Sequence, residues 1–506
     1  MDHAVTAEAR ERVLALGSWH DDWTGLRVAV LGLGVTGFSV ADTLVELGAR
    51  VRVIFGQADE ERQNLLDVIG SESLLEPDTD AQLVDLIAFD PELVVVSPGY
   101  RPDHPLTRWA EERGTVVWGD IQLAWRLRDK TERIAEWISV TGTNGKTTTS
   151  QLTAHMLVAG GLRAAPVGNI GVPVLDALRD PQGYDALVVE LSSFQLHRLG
   201  DISPHASVVL NVADDHLDWH GNARRYRTAK ARVYENTKVA CVYNRMDAAT
   251  EQMVQEADVV EGARAISFGL DTPGPSGFGI VDGILCDRGF HEDRRNSALE
   301  LVTVDELAEH GLAAPHLLQN ILAAAALARS MGVEPAAIRE AVLGFRMDAH
   351  RVETVLVRDG ITWVDDSKAT NAHAATASLR AFPRVVWVLG GLFKGVDIAE
   401  LVREHAPRLA GLVVIGVDQS EAVAAIERHA PDVPRFLVDP GDTEDTMLRA
   451  VRYAASIAER GDTVLLAPAA ASMDQFTDYG DRGRRFQAAV QEFLGGEADD
   501  DSAAQR

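Results

Sequence analysis

The segment Thr141-Gly-Thr-Asn-Gly-Lys-Thr-Thr-Thr149 combines glycines, one lysine and several hydroxyl side chains, as a polyphosphate-binding loop does. It follows the apolar run Trp137–Val140 and precedes an Ala/Leu-rich segment, so it joins a predicted strand to a predicted helix. Backbone N–H groups and the positive end of that helix would meet the phosphates. Lys146 is placed to reach the β- and γ-phosphates, and Thr147 to offer its hydroxyl to Mg²⁺. Because Val140 stands where a strict Walker A loop has glycine, the sequence predicts ATP binding by a variant loop.

Acidic and histidine side chains follow two other apolar runs of the same region. Glu190 ends the run Ala186–Val189, and Asp214-Asp-His216-Leu-Asp218 follows the run Ala206–Asn211. An acid at the C-terminal end of a parallel strand, beside a phosphate loop, is placed to hold Mg²⁺. His216 is placed to bind a second cation or to lie beside one. The alternative interpretation is a solvated acidic loop.

Three basic residues are candidates for binding anions or stabilising charge. Lys230 lies in a predicted helix and, on composition alone, is a surface lysine. Lys368 lies in Asp365-Asp-Ser-Lys-Ala-Thr-Asn371, where a lysine held by acids and polar groups can bind a carboxylate. Arg351, in His350-Arg-Val-Glu353, is placed to reach a nucleotide phosphate. A polar turn and a linker arginine are the alternatives for the last two.

A second glycine cluster, Gly32-Leu-Gly34-Val-Thr-Gly37, matches G-x-G-x-x-G between a predicted strand and a predicted helix. A dinucleotide site also needs an acid about twenty residues further on, and Phe55-Gly-Gln57 supplies none. The missing acid therefore disfavours NAD as the ligand, whereas another phosphate-bearing ligand remains compatible with the cluster. Ser97-Pro-Gly99 follows the strand that ends at Val96 and points to the same sheet edge. Tight turns without a ligand are the alternative for both segments.

Short apolar runs alternate with helical patterns along the whole chain, which predicts an α/β fold with parallel, doubly wound sheets. We expect three domains and a tail: a Rossmann-like domain at 1–130, a P-loop ATPase-like domain at 131–348, a Rossmann-like domain at 349–495 and an acidic disordered tail at 496–506. The Gly/Pro-rich stretch Phe268–Gly283 is expected to be a surface excursion or a hairpin. The predicted strands are Val28–Gly32, Val51–Phe55, Leu93–Val96, Ala186–Glu190, Ala206–Asn211, Val385–Gly391, Leu412–Gly416 and Thr463–Ala467.

Composition limits the function classes. The 506 residues carry a formal net charge of −28, which disfavours general binding to nucleic acid or to anionic membranes. Cys241 and Cys286 form no CxxC pair or disulfide framework and are expected to be ordinary thiols in a reducing compartment. Neither a signal peptide nor a bilayer-spanning apolar run is recognisable. The sequence therefore predicts a cytoplasmic protein.

Several segments together resemble one known family. Thr141–Thr149 is similar to the ATP loop of the Mur ligases, the amide-forming enzymes of peptidoglycan precursor synthesis. Asp366–Asn371 and Ala470–Phe476 resemble the D-glutamate-adding branch of that family. The likeness runs from Gly32 to about Phe486, and the remaining matching segments are Gly168–Gly171, Glu190–Gln195, Asn211–Asp218, Tyr226–Lys230 and His350-Arg351.

The resemblance implies an ATP-dependent ligase that joins D-glutamate to UDP-N-acetylmuramoyl-L-alanine, with ATP and two Mg²⁺ ions and with neither nucleic acid nor membrane insertion. It implies a carbamylated Lys230 and a monomer. The implied catalytic residues are Lys146, His216 and Lys230, and the implied metal ligands are Thr147, Glu190, His216 and carbamylated Lys230. The implied ATP-binding residues are Gly142, Thr143, Asn144, Gly145, Lys146, Thr147, Thr148, Asn320 and Arg351. The UDP-substrate would be held by Gly34, Val35, Thr36, Ser97 and Asn169, and D-glutamate by Lys368, Ser472 and Tyr479.

Four positions depart from the family pattern. Leu317 replaces the first Asn of a His-Asn-x-x-Asn segment, Phe55 or Gly56 replaces an acid, Leu392 follows Gly391 in place of Asp, and Tyr479 replaces Phe. One alternative function is that of another Mur ligase, adding a different amino acid. The other is a nucleotide-dependent oxidoreductase or a sugar-nucleotide-binding module built on Gly32–Gly37. The missing ribose acid and the complete second phosphate loop oppose that last alternative.

Overall fold

The computed structural model describes residues 6–347, 349–441 and 443–495. It confirms the predicted α/β class, with three separate β-sheets flanked by helices. The predicted acidic tail at 496–506 lies outside the described residues. Within the described ranges, no helix is both long and apolar enough to cross a bilayer.

The first sheet has five parallel strands in the order β3-β2-β1-β4-β5. Strands β1 and β4 are buried on both faces because helices cover the sheet on each side, as their continuous apolar runs predict. The strand order reverses between β1 and β4, so ligand-binding turns are expected beyond their carboxyl ends. The strands are β1 Arg27–Leu31, β2 Arg50–Phe55, β3 Glu72–Leu75, β4 Leu93–Val96 and β5 Val116–Gly119. The helices are α1 Ala7–Ala15, α2 Val35–Glu46, α3 Glu60–Ile69, α4 Thr79–Phe89, α5 Pro105–Arg113 and α6 Asp120–Arg126.

The second sheet has nine strands in the order β14-β13-β12-β11-β10-β9-β6-β8-β7. Strands β6 to β12 pair in parallel, and β12, β13 and β14 pair antiparallel. The strands are β6 Glu136–Thr141, β7 Ala164–Gly168, β8 Ala186–Glu190, β9 Ala206–Val209, β10 Ala240–Asn244, β11 Arg264–Phe268, β12 Gly277–Val281, β13 Ile284–Asp287 and β14 Leu299–Thr303. The helices are α7 Lys146–Ala159, α8 Val174–Leu178, α9 Ser193–His197, α10 Leu217–His220, α11 Ala223–Ala231, α12 Ala248–Gln255, α13 Val304–Glu309, α14 Pro315–Ser330 and α15 Pro335–Gly344, with a 3₁₀ turn at Arg232–Tyr234.

The stretch Phe268–Gly283 leads into a hairpin that extends this second sheet. Its last residues form β12, which pairs antiparallel with β13 across a turn at Asp282-Gly283. Of the two interpretations left open by the sequence, the structure supports the hairpin.

The third sheet has six strands in the order β15-β16-β20-β17-β18-β19. All neighbours pair in parallel except β15 with β16. The strands are β15 Glu353–Arg358, β16 Ile361–Asp365, β17 Val385–Gly390, β18 Leu409–Ile415, β19 Arg435–Leu437 and β20 Thr463–Leu466. The helices are α16 Ala372–Arg380, α17 Ala399–His405, α18 Ser420–His429, α19 Thr443–Ile457 and α20 Tyr479–Gly495, with a 3₁₀ turn at Ala406–Arg408.

The described residues form two compact units. The first comprises the described residues up to Val212 together with Arg227–Phe345, and so contains the first two sheets. The second comprises Ala213–Tyr226 and the described residues from Arg346 onward, and so contains the third sheet. The segment carrying His216 therefore belongs to the second unit, although the residues on both sides of it belong to the first. The three-domain division by residue range stays a prediction.

Candidate functional site

The phosphate-loop segment joins β6 to α7, as the sequence predicts. Gly142 and Gly145 have φ angles of +158° and +82°, which glycine adopts readily. Lys146 is the first residue of α7, and its Nζ donates to the carbonyls of Gly142 and Thr143, both at 3.0 Å. The ammonium group thus lies over the loop that leads into the N-terminus of α7. This arrangement can hold a polyphosphate between the helix N-terminus and a lysine.

Two asparagines fix this loop from other strands and helices of the first unit. The amide of Asn211, after β9, accepts from the Asn144 N–H at 2.8 Å and donates to the Asn144 carbonyl at 3.0 Å. Asn320, on α14, lies directly against Gly145: a methyl group added there would be 2.5 Å from the Asn320 Oδ1. The structure therefore brings Asn320 to the loop, and Leu317 in the same segment is buried.

Glu190 is a buried carboxylate with one uncommitted oxygen. It ends β8 and is 1% exposed. Its Oε1 accepts from the Asn169 Nδ2 at 2.9 Å, whereas its Oε2 has no hydrogen-bond partner within the described part of the chain. A buried anionic oxygen without a donor is unfavourable unless a cation or ligand meets it. The donor set, a carboxylate beside a phosphate loop with the Thr147 hydroxyl, fits the oxygen-rich coordination that Mg²⁺ requires.

Lys230 is not a surface lysine, and the interpretation from composition is wrong. It lies in the last turn of α11, is 2% exposed and donates from Nζ to the Gly142 carbonyl at 2.9 Å, with the Thr141 hydroxyl at 3.4 Å. Burial of an ammonium group is costly and marks a functional candidate. The first unit thus gathers Lys146, Glu190 and Lys230 around one loop.

The Gly32–Gly37 turn and Ser97 come together beyond the carboxyl ends of β1 and β4. Gly34 precedes the first residue of α2, and the Ser97 Oγ lies 3.4 Å from the Gly32 carbonyl. A methyl group on Gly37 would lie 2.0 Å from that same carbonyl, so helix and strand can approach only with glycine there. Val35 is 53% exposed, which leaves the mouth of this turn accessible.

His216 belongs to the second unit, where Asp215 is its neighbour. Its φ is +52°, its backbone N–H donates to the Asp215 Oδ1 at 2.9 Å, and its Nε2 lies 3.7 Å from the Asp215 Oδ2. Asp215 is 5% exposed and also binds the Lys394 ammonium at 2.6 Å. Asp214 is exposed. The solvated-loop interpretation is therefore wrong for Asp215, which is buried and ion-paired.

The residues expected to bind D-glutamate are partly gathered in the second unit. The Lys368 ammonium lies 5.0 Å from the centre of the Tyr479 ring. Ser472 is buried at 3% exposure, in the turn after β20. Asp366, beside Lys368, has a pKa raised to about 7 by its burial, although the Ser378 hydroxyl and the charge of Arg351 oppose that shift.

Comparisons with known proteins identify the family of this chain. Residues 140–328 match the Mur ligase middle domain and residues 350–470 match the Mur ligase, glutamate ligase domain. The chain is 64% identical to the UDP-N-acetylmuramoylalanine--D-glutamate ligase of Leifsonia xyli subsp. xyli, over 98% of each chain. It is 50% identical to the protein of that name from Streptomyces avermitilis, over 93% of this chain and 98% of that one.

This chain belongs to the Mur ligase family. Solved structures show the same fold at low identity. The UDP-N-acetylmuramate-alanine ligase of Thermotoga maritima superposes with a TM-score of 0.55 at 20% identity, covering 92% of this chain and all of that one. MurF from Acinetobacter baumannii gives a TM-score of 0.53 at 17% identity, covering 92% and 90%. The three-sheet α/β architecture is therefore the Mur ligase fold.

Two charged residues of this Mur ligase escaped the sequence interpretation. Lys394 follows β17 and the pair Gly390-Gly391. Because ligands bind beyond the carboxyl ends of parallel strands, this position could have marked Lys394 as a candidate site residue. The sequence around Arg482, on α20, contains no comparable signal. Arg482 is fully buried and donates to the Ser367 hydroxyl at 3.0 Å, the Ser367 carbonyl at 2.8 Å and the Ala470 carbonyl at 3.1 Å. Burial lowers the pKa of Arg482 to about 9.

Arg482 thereby ties together the segments that carry the expected D-glutamate ligands. Ser367 precedes Lys368, and its hydroxyl also donates to the Tyr479 carbonyl at 2.7 Å. Ala470 lies two residues before Ser472. One buried guanidinium on α20 is therefore hydrogen-bonded to two other stretches of the second unit, and the Ser367 hydroxyl extends the link to Tyr479.

Proposed function

We propose that this Mur ligase joins D-glutamate to UDP-N-acetylmuramoyl-L-alanine at the cost of ATP, in the cytoplasm, as a monomer. The 64% identity over nearly the full chain to a protein named for that reaction supports the choice of substrates. The observation that carries the chemistry is the loop bearing Lys146, with a buried Glu190 whose Oε2 has no hydrogen-bond partner among the described residues.

The reaction activates a carboxylate with phosphate. The terminal carboxylate of UDP-N-acetylmuramoyl-L-alanine attacks the γ-phosphorus of ATP, and ADP leaves. The neutral amine of D-glutamate then attacks the acyl carbon of the acyl phosphate, and inorganic phosphate leaves as the amide forms. Lys146 stabilises the negative charge that shifts toward the β–γ bridge during phosphoryl transfer.

Two Mg²⁺ ions, when bound, would neutralise negative charge on the phosphates. The proposed Mg²⁺ ligands are Thr147, Glu190, His216 and a carbamylated Lys230. Carbamylation would add CO₂ to the deprotonated Lys230 amine and release a proton. The product is an anionic carbamate whose oxygens can bind a metal, in place of a buried cation beside the loop. The present contacts of Lys230 with the Gly142 carbonyl place its nitrogen at the loop.

The remaining proposed roles are grouped by the substrate that each residue would bind. Residues proposed to bind ATP are Gly142, Thr143, Asn144, Gly145, Lys146, Thr147, Thr148, Asn320 and Arg351. Residues proposed to bind the UDP-substrate are Gly34, Val35, Thr36, Ser97 and Asn169. Lys368, Ser472 and Tyr479 are proposed to receive the carboxylates of D-glutamate.

The test is an amino-acid panel. Phosphate release from ATP is measured with UDP-N-acetylmuramoyl-L-alanine and, separately, D-glutamate, L-alanine, L-lysine or diaminopimelate. We expect release only with D-glutamate. Release with UDP-N-acetylmuramate and L-alanine, or with a dipeptide-bearing substrate and a diamino acid, would instead identify another member of the family.

A further inference from the structure

The three residues that follow β9, residues 210–212, are hydrogen-bonded to the phosphate loop within the first unit. We call them the bridging segment. The Leu210 N–H donates to the Thr141 carbonyl at 3.0 Å, and the Asn211 carbonyl accepts from the Thr143 N–H at 3.0 Å. The Asn211 side chain adds two hydrogen bonds to the loop, at 2.8 and 3.0 Å. The position of the bridging segment therefore decides where the backbone of the loop lies.

Two side chains from outside the loop hold the same segment. The Nδ2 of Asn244, the last residue of β10, donates to the Leu210 carbonyl at 2.9 Å. The Asp247 Oδ2, from the turn after β10, accepts from the Val212 N–H at 2.8 Å. Asn211 thus lies between two residues whose backbone groups are bonded to the end of β10 and to the turn after it.

The orientation of the Asn244 amide is fixed by its surroundings. Asn244 is 3% exposed, and its Oδ1 accepts from the Met246 N–H at 2.9 Å. Its backbone N–H donates to the Thr250 hydroxyl at 3.0 Å, and that hydroxyl donates to the Asn244 carbonyl at 2.8 Å. Because an N–H donor holds the amide oxygen, the amide nitrogen is the atom that faces the Leu210 carbonyl.

We propose that Asn244 is a positioning residue for the phosphate loop and acts through the bridging segment. By holding the Leu210 carbonyl, it keeps Asn211 where its amide meets both the N–H and the carbonyl of Asn144. A loop that is held in this way before ATP arrives need not be ordered by the ligand, so less affinity is lost on binding. This inference rests on the proposed function, because the binding of ATP by the loop belongs to that proposal.

The first test removes the amide and keeps its bulk. Asn244→Leu should raise the Kd of a non-hydrolysable ATP analogue with Mg²⁺, measured by calorimetry, by about tenfold, because the Leu210 carbonyl loses its donor. The KM for ATP should rise in parallel. The KM values for D-glutamate and for the UDP-substrate should stay within about twofold of those of the wild type.

Thr237→Val is the matched control for a loss of stability alone. Thr237 precedes β10, and its hydroxyl is hydrogen-bonded at 2.8 Å to that of Ser207 on β9. Both residues are fully buried. The variant therefore removes a buried hydrogen bond between the same two strands, at the end opposite to Asn244. It should lower the midpoint of thermal unfolding and leave the analogue Kd unchanged. Equal rises in Kd for Thr237→Val and Asn244→Leu would overturn the proposal.

A double-mutant cycle shows whether Asn244 acts through Asn211. In an Asn211→Ala background, Asn244→Leu should raise the Kd by a smaller factor than in the wild type, since the amide to be positioned is gone. Fold-changes that multiply, or an unaltered Kd in folded Asn244→Leu, would each contradict this. If Asn244→Leu does not fold, Asn244→Ala replaces it in every measurement.

The outcome for this inference is separate from the outcome for the proposed reaction. Analogue binding is measured without any amino acid, so failure of D-glutamate to support phosphate release would refute the proposed reaction and leave the Kd comparison readable. Failure of the wild type to bind the analogue would overturn both.

Discussion

Asp120 is a buried acid that joins the first sheet to the segment carrying Glu190. It begins α6, is 8% exposed and accepts from the Gln195 Nε2 at 2.9 Å. Gln195 in turn accepts from the Ser192 N–H at 3.0 Å and so caps α9, just after Glu190. Burial raises the pKa of Asp120 from 3.8 to about 6, against the opposing hydrogen bond from Gln195. The perturbation is Asp120→Asn, whose amide oxygen can still accept from Gln195.

The magnitude follows from the two pKa values. Because the folded pKa lies above the unfolded one, the folded protein binds the proton more tightly, and stability falls as pH rises from the unfolded to the folded value. At about 1.36 kcal/mol per pKa unit, the charged carboxylate costs about 3 kcal/mol at pH 8 and about 1.6 kcal/mol at pH 5. Asparagine carries no such cost. The free energy of unfolding of the Asp120→Asn variant, relative to that of the wild type, should therefore rise by about 1.4 kcal/mol between pH 5 and pH 8.

Native-state hydrogen exchange measures the prediction locally. The opening free energy of α6 is compared between variant and wild type at pH 5 and at pH 8. Asp59→Asn is the control, read in α3: the backbone N–H of Arg62 lowers the pKa of Asp59, so its contribution is complete above the unfolded value and constant over this range. A difference for Asp120→Asn that stays constant, or that falls toward pH 8, would refute the assignment of a buried, proton-binding carboxyl.

Three further predictions concern the phosphate loop. Lys146→Ala should abolish D-glutamate-dependent phosphate release by folded protein, and retained turnover would remove Lys146 from the mechanism. Removing CO₂ should lower wild-type turnover and bicarbonate should restore it, whereas Lys230→Ala should be inactive until a small carboxylate such as acetate is added; unchanged turnover in Lys230→Ala would exclude the carbamate. Gly145→Ala should weaken ATP binding by more than about tenfold, because the added methyl group would lie 2.5 Å from Asn320. Gly161→Ala is the control: its φ of +88° is similar and the space around it is open, so this variant should bind ATP normally. Equal Kd values for the two variants would contradict the prediction.

The buried strands and the turns after them were predictable because their signals are local. Leu93–Val96 is a strand with the predicted bounds, and the Thr141–Thr149 loop joins strand to helix as expected. By contrast, β7 contains Pro166 and has an ambiguous composition. Pro166 is tolerated because β7 lies at the edge of the second sheet, where a strand residue without an N–H need not interrupt the hydrogen bonding between strands.

The parts of the site that could not be predicted depend on partners distant in sequence. The local sequence around Lys230 is that of an exposed helix. Its burial depends on the Gly142 carbonyl, which lies 88 residues away in sequence and accepts from its ammonium group. Arg482 lies among charged helix residues, and two of its three acceptors belong to Ser367, which is 115 residues away in sequence. Family resemblance identified Lys230, because a motif retains long-range information that composition lacks, but it did not lead us to Arg482.

The assignment of Ala213–Tyr226 to the second unit limits how this enzyme can be divided or exchanged. A cut at Arg346, where the longer segment of the second unit begins, would remove Lys394 from Asp215 and leave the largely buried ammonium of Lys394 without that carboxylate. A chimaera between family members should therefore take both pieces from one parent. Residues in the middle of the chain and residues near its end thus form one structural unit, which a linear domain map would divide.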